Sequence, residues 1–277
     1  MAGSPAFGSC STRRRGDRGL PPLPGSAPGD QSGGPPAPVT SGGRPILTLD
    51  PPPKVITFDC YGTLVRWHDA VRQAAGAILA RHLQAEVPPD RAAALADRLR
   101  ALASEHQQRP PFQDYRPILR ASLSQALAEA GHAATAADQD TLVSILGRIA
   151  PHPDAPAALA RLRERYRIAI ISNTDDALIA GTVAAIGTPV DFVVTAQQAR
   201  AYKPDHRLFL HAYAMMGVTK DETIHVGMGQ FTDLKVCREL GIRSVWIDRD
   251  GEPLDPAWQP DAVLKDLAGL PALLLPA

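Results

Sequence analysis

The stretch Lys54-Val-Ile-Thr-Phe-Asp59-Cys-Tyr-Gly-Thr63-Leu-Val65 decides how the rest of the chain is read. A short apolar, β-branched run leads straight into an acid and then a glycine turn. That pattern predicts a buried strand ending at Asp59. Gly62 permits a tight turn that brings Thr63 back toward the acid.

Outward from this strand, four further runs carry the same signal: Arg167-Ile-Ala-Ile-Ile-Ser172, Asp191-Phe-Val-Val-Thr195, Thr223-Ile-His-Val-Gly227 and Ser244-Val-Trp-Ile-Asp248. Near-continuous apolar runs separated by helical stretches indicate strands buried on both faces, hence a parallel sheet. Residues 67 to 149 lack such runs and are rich in Ala, Leu, Arg and Gln at helical spacing. Ala92, Leu95, Leu99 and Leu102 share one helical face, as do Leu119, Leu123 and Leu127. Four helices are expected, over 67–83, 90–107, 115–130 and 138–149. The expected architecture is α/β, with a doubly wound, Rossmann-like core of residues 51–66 and 151–277 and an all-helical insert over 67–150.

Residues 1–50 are different. Nineteen of them are Gly or Pro, and such a stretch buries too little apolar surface to offset its ordering entropy. A disordered tail, or an upstream start codon, is the expectation. Arg13, Arg14 and Arg15 are not followed by the apolar stretch of a secretion signal. Lys+Arg and Asp+Glu balance at 29 each, so global charge favours neither nucleic acid nor an anionic membrane as partner. No apolar run reaches the roughly 18 residues needed to span a bilayer. The three cysteines, Cys10, Cys60 and Cys237, are odd in number and widely spaced. A disulfide framework is not expected, and a cytoplasmic location is.

In open α/β sheets the site lies beyond the carboxyl ends of the strands, and four such ends carry chemistry here. They are Asp59-Cys60-Tyr61-Gly62-Thr63; Ser172-Asn173-Thr174, with Asp175 positioned to cap the next helix; Ala201-Tyr-Lys203-Pro204-Asp205; and His225-Val-Gly-Met228-Gly-Gln230-Phe-Thr-Asp233. Each is weak alone. Their order after successive strands is the signal. Cys60 reads as a small buried apolar residue and His225 as structural.

The ordered set resembles the haloacid dehalogenase superfamily, and more closely its L-2-haloacid dehalogenase (type II) branch, over about residues 53 to 250 and including a helical cap. The resemblance implies a hydrolase in which Asp59 attacks substrate carbon, releases halide and forms an ester. Water then hydrolyses that ester at the Asp59 carbonyl. It also implies that Lys203 keeps Asp59 ionised and that Thr63 and the amides after Asp59, at Cys60 and Tyr61, donate to it. Ser172 and Asn173 would bind the substrate carboxylate or leaving group, Cys60, Tyr61 and Gln230 would also contact the substrate, and Asp233 would pair with Lys203 or orient the second water. The substrate is then a small carboxylic acid, no cofactor or metal is required, and a homodimer is compatible with the pattern.

Two positions separate this chain from the superfamily's phosphatases. Tyr61 stands where they carry a second Asp, the general acid for a departing alkoxide; a halide leaves without a proton. Met228 stands at a Mg²⁺-ligand position, and a thioether is a poor partner for a hard cation. The chain also departs from the type II pattern. Met228 replaces a Ser, Gln230 an Asn, and Phe209 a Tyr. The Arg that receives the halide is sought among Arg116, Arg120 and Arg66, with Arg116 preferred. The competing readings are the same ester chemistry on another activated carbon, a Mg²⁺-dependent phosphatase, and a non-catalytic binding module.

Overall fold

The structure is a computed structural model that describes residues 47–275. The expected tail falls almost wholly outside them, but its last residues do not behave as a tail. Leu47 and Leu49 pack on the core, and the Leu47 N–H donates to the carbonyl of Leu273 at 3.0 Å. The packed chain is therefore under way by Leu47, because two leucines in five residues outweigh the local Gly/Pro bias.

In chain order the elements are β1 (Val55–Phe58), α1 (Trp67–Leu83), α2 (Pro89–Gln107), α3 (Tyr115–Glu129), α4 (Ala136–Leu146), α5 (Ala155–Arg163), β2 (Arg167–Ser172), α6 (Asp176–Ile186), β3 (Phe192–Thr195), α7 (Ala196–Ala199), α8 (His206–Met216), β4 (Thr223–Gly227), α9 (Lys235–Leu240), β5 (Ser244–Ile247), β6 (Ala262–Leu264) and α10 (Leu270–Leu274). The sheet order is β3-β2-β1-β4-β5-β6 with every pairing parallel. This is the doubly wound order, and its direction reverses between β1 and β4. Val55, Ile56 and Phe58 are wholly buried there, each worth roughly 1.5–3 kcal/mol against exposure. The central strands therefore tolerate no charge until they end.

The sixth strand was not legible. Ala262-Val-Leu264 is short, sits at the sheet edge and is half-exposed, so it lacks the apolar run that marks its neighbours. The four helices between β1 and α5 match the expected spans within three residues. α4 starts earlier than expected, because Thr135 and Asp138 close a capping box, and it stops at Leu146, followed by Gly147. Leu95, Leu99 and Leu102 of α2 and Leu119, Leu123 and Leu127 of α3 are buried as their spacing predicts. Among the described residues no helix is long and apolar enough to cross a membrane.

Candidate active site

Asp59 extends β1 by one residue, its N–H donating to Val226 of β4 at 2.9 Å. The chain then turns out of the sheet at Gly62, whose φ is 96°. A Cβ there would lie 2.3 Å from the Met228 sulfur, so conformation and space both demand glycine. The turn returns Thr63 to the acid: its hydroxyl donates to Asp59 Oδ2 at 2.8 Å and accepts the Met228 N–H at 3.0 Å. The β1 and β4 loops are thereby joined through one hydroxyl.

Lys203 arrives from the loop before α8 and is buried. Its ammonium has three protons and three acceptors: Asp59 Oδ1 at 2.8 Å, Asp233 Oδ1 at 2.6 Å and the Ile171 carbonyl at 3.0 Å. Asn173 brackets the Lys203 main chain, accepting its N–H at 2.7 Å and donating to its carbonyl at 3.1 Å. Asp233 has no exposed surface. Its Oδ1 receives Lys203 and His225, and its Oδ2 receives the Gly229 N–H at 3.1 Å and the Thr232 hydroxyl at 3.2 Å. Its four lone-pair directions are filled, which supports pairing with Lys203 and leaves nothing to orient a water.

One cation thus lies between two buried carboxylates. Burial raises the Asp59 carboxyl above its usual range; Lys203 opposes the rise and the nearby Asp233 charge adds to it. Burial pushes Asp233 the same way, but Lys203 and then His225 outweigh it and hold that carboxyl well below the ordinary range. For Lys203, burial disfavours the charge, yet Asp233 and Asp59 keep the ammonium protonated above its usual value. The outer carboxylate, Asp59, is the more basic of the two and borders open space.

That space is a cleft of about 520 Å³ between the strand ends and the helical insert, lined by Asp59, Ser172 and Lys203 on one side and Trp67, Arg100 and Tyr115 on the other. Tyr61 stacks on Trp67 with ring centroids 4.9 Å apart, and its hydroxyl meets Thr174 at 3.3 Å. Burial raises the Tyr61 phenol above its ordinary value, which makes it a reluctant acid. The Ser172 hydroxyl is buried in the wall and has no partner among the described residues. An unpaired buried donor costs about 1–3 kcal/mol, and Ser172 is one of the residues lining the cleft.

Several expected roles need correction. Arg116 does not line the cleft. Its side chain is 44% exposed and lies 3.5 Å from Asp175, because Asp175 caps α3 and not the helix that follows it in sequence. The Asp175 carboxylate accepts the N–H groups of Tyr115 at 2.6 Å and Arg116 at 2.8 Å. Arg120 is also largely exposed, near Asp140, and Arg66 lines an adjoining charged cavity that shares Trp67 and Arg100 with the cleft. The arginine in the cleft is Arg100 of α2, held by Asp97 at 3.1 Å. The run Arg98-Leu99-Arg100 carries no cue to its direction beyond helical phase against Leu95 and Leu99. The Cys60 thiol is buried in the hydrophobic core, so that residue can offer a ligand only its main chain. Gln230 reaches the cleft, but its amide donates to the Pro253 carbonyl at 3.0 Å and accepts the Asp255 N–H at 2.7 Å. It fastens a loop, as Asn173 fastens Lys203.

The donor set does not fit Mg²⁺. That ion needs octahedral oxygen ligation, whereas Asp233 is saturated, each Asp59 oxygen already accepts a bond, and Met228 and Tyr61 complete the strand ends. Among the described residues no group of three or more His, Cys, Asp or Glu side chains is placed to hold a metal.

A parallel sheet of this order, with an aspartate ending β1 and bound to a buried lysine, is the framework of an α/β hydrolase. The haloacid dehalogenase-like hydrolase pattern matches residues 53–241, and the chain belongs to that family. It is 26% identical over 218 residues to an (S)-2-haloacid dehalogenase of Burkholderia cepacia, covering 75% of this chain and 88% of that one. A Pseudomonas putida (S)-2-haloacid dehalogenase is 27% identical over 229 residues, covering 79% and 97%. A Thermus thermophilus phosphoserine phosphatase is 34% identical over 119 residues, but this covers only 42% of this chain and 48% of that protein. Among solved structures, an L-2-haloacid dehalogenase superposes with a TM-score of 0.68 at 26% identity, over 79% of this chain and 97% of its own.

Proposed function

We propose that the protein hydrolyses the carbon–halogen bond of a small 2-haloacid through an ester on Asp59. The observation that carries this reading is the Asp59 carboxylate itself. It is held by Lys203 at 2.8 Å and Thr63 at 2.8 Å at the floor of a cleft, with no second carboxylate two residues on. Positioning of this kind supplies on the order of 7–11 kcal/mol in the best intramolecular cases.

In the first step an Asp59 oxygen bonds to the halogen-bearing carbon, and the carbon–halogen pair leaves with the halide. No proton is required. The Arg100 guanidinium has donors beyond the one spent on Asp97 and is the group proposed to receive the halide. Ser172 is the donor for the substrate carboxylate, and Tyr61 and Trp67 form the apolar wall. In the second step water adds to the Asp59 carbonyl carbon, the acyl carbon–oxygen bond breaks, the hydroxy acid departs with the former Asp59 oxygen and one water proton, and the second proton passes to solvent as Asp59 returns to the carboxylate. The helices from Trp67 to Leu146 act as a cap that excludes bulk water while Asp59 attacks. No metal or cofactor takes part. The substrate is the small-molecule partner, nucleic acid and membrane are not, and a homodimer is the assembly to examine. The free, buried thiols of Cys60 and Cys237 favour a reducing, cytoplasmic location.

The test is halide release from 2-chloropropionate in the presence of EDTA, followed by turnover in heavy-oxygen water with mass spectrometry of the Asp59 peptide. Label should enter that carboxylate already in the first turnover while the hydroxy acid formed with it stays unlabelled, and should reach the product only over multiple turnovers. EDTA-sensitive hydrolysis of p-nitrophenyl phosphate, with no halide released, would replace this reading with the phosphatase one.

A further inference from the structure

His225 is fully buried on β4, and the chemistry above makes no use of it. The sheet register sets it directly beside Thr57 of β1, two residues before Asp59, so that Thr57 and Asp59 leave β1 on the same side. His225 Nε2 lies 3.2 Å from Asp233 Oδ1 and Nδ1 lies 2.9 Å from the Thr57 hydroxyl. An ionised carboxylate only accepts, so Nε2 carries a proton. The Thr57 hydroxyl has one proton and two acceptors in range, Nδ1 at 2.9 Å and the Ile224 carbonyl at 3.4 Å. The shorter contact takes it, which fixes the Nε2–H tautomer. Phe209 closes the other side, edge-on to the ring at 4.9 Å, and brings no competing polar group.

Thr57, His225, Asp233, Lys203 and Asp59 therefore form one hydrogen-bonded circuit that starts and ends on β1. Asp233 Oδ1 is shared between Lys203 at 2.6 Å and His225 at 3.2 Å. Without the imidazole that oxygen answers to Lys203 alone, and the ammonium follows it away from Asp59. We propose that His225 is a positioning residue for the reaction, setting Asp233 and, through it, the Lys203 ammonium against Asp59. The inference rests on Asp59 being the nucleophile.

The test compares His225→Leu, His225→Gln, Thr57→Val and Thr57→Ser. Two quantities are read: steady-state halide release from 2-chloropropionate, and the NMR cross-peak of the buried Lys203 ammonium, which needs no substrate. His225→Leu should lower kcat by about 10–100-fold, the scale of a small misplacement of a reacting group, with KM within about threefold, and should broaden the ammonium signal. His225→Gln retains an N–H donor and an acceptor and should recover most of both. Thr57→Val should fall between them, and Thr57→Ser should match the parent protein. Should His225→Leu fail to fold, the Thr57 pair carries the comparison. An unaltered ammonium signal and kcat in His225→Leu or, failing that, in Thr57→Val would overturn the proposal; so would a glutamine variant as impaired as the leucine one. If the parent protein releases no halide while the ammonium responds as described, the dehalogenase reading fails and the positioning role of His225 stands.

Discussion

The two walls of the cleft are built on opposite terms. On the sheet side Lys203 and Asp233 spend every donor and acceptor on one another, on the side chains of Asp59, His225 and Thr232, or on main chain, at distances from 2.6 to 3.2 Å. On the insert side Arg100 keeps a third of its side-chain surface exposed and rests on one contact with Asp97. The insert is moored by a few polar ties, among them Asp175 on the start of α3 and Gln107 on Asn173 at 3.2 Å. A buried network holds its geometry because every alternative leaves a charge unpaired. A solvated arginine has many near-equal arrangements. The sheet wall therefore sets which bond chemistry is available, and the insert wall sets what is bound while it happens.

Substitutions can break or sharpen that contrast. The largest effect is expected at the sheet wall: Asp59→Asn should abolish halide release, by on the order of 10⁴–10⁶-fold, as for other lost nucleophiles, with thermal stability little changed. A stability loss comparable to that of Lys203→Met would instead make Asp59 a structural member of the network. Lys203→Met should remove activity as well and, by leaving two buried carboxylates without a cation, cost about 3–5 kcal/mol in urea unfolding. Gly62→Ala meets a left-handed φ and the Met228 sulfur together, and a loss of about 1–3 kcal/mol is expected. At the insert wall the effects should shrink. Arg100→Met should raise KM or lower kcat about tenfold with unchanged stability, whereas Arg116→Met should stay within about twofold of the parent. Equal effects of the two arginine changes would erase the distinction drawn between them.

The pH dependence separates the two carboxylates. Asp59 must be ionised to attack, and its folded carboxyl is raised, so kcat/KM should be full at high pH and fall as pH drops through a midpoint above the ordinary value of about 3.9. An acid limb at or below that value would contradict the assignment. Stability moves in opposite senses at the two sites. A raised folded carboxyl at Asp59 contributes stability below its unfolded value that is lost as pH rises through the folded one. The depressed carboxyl of Asp233 contributes stability above its unfolded value that is lost as pH falls. Urea midpoints of Asp233→Asn against the parent, taken from neutral to acid pH, should converge on the acid side.

The sequence by itself determined the parallel sheet, the helical insert, the strand ends that bear Asp59 and Ser172, and the segments after later strands that bear Lys203 and Asp233. Those features are local: an apolar run of one period, a helical stripe, a glycine after an acid. They follow from which residues can be buried and how the backbone can turn. Only the tertiary structure decided what lies across the cleft. Asp175 neighbours α6 in the chain but caps α3, because its carboxylate meets unpaired amides brought from 59 and 60 positions away. Arg100 and not Arg116 faces the site, since helix rotation is set by how Leu95, Leu99 and Leu102 pack. His225 and Thr57 became partners through strand register alone. Such pairings join residues far apart in the chain through directional bonds, and no periodicity along the sequence encodes which partner each will meet.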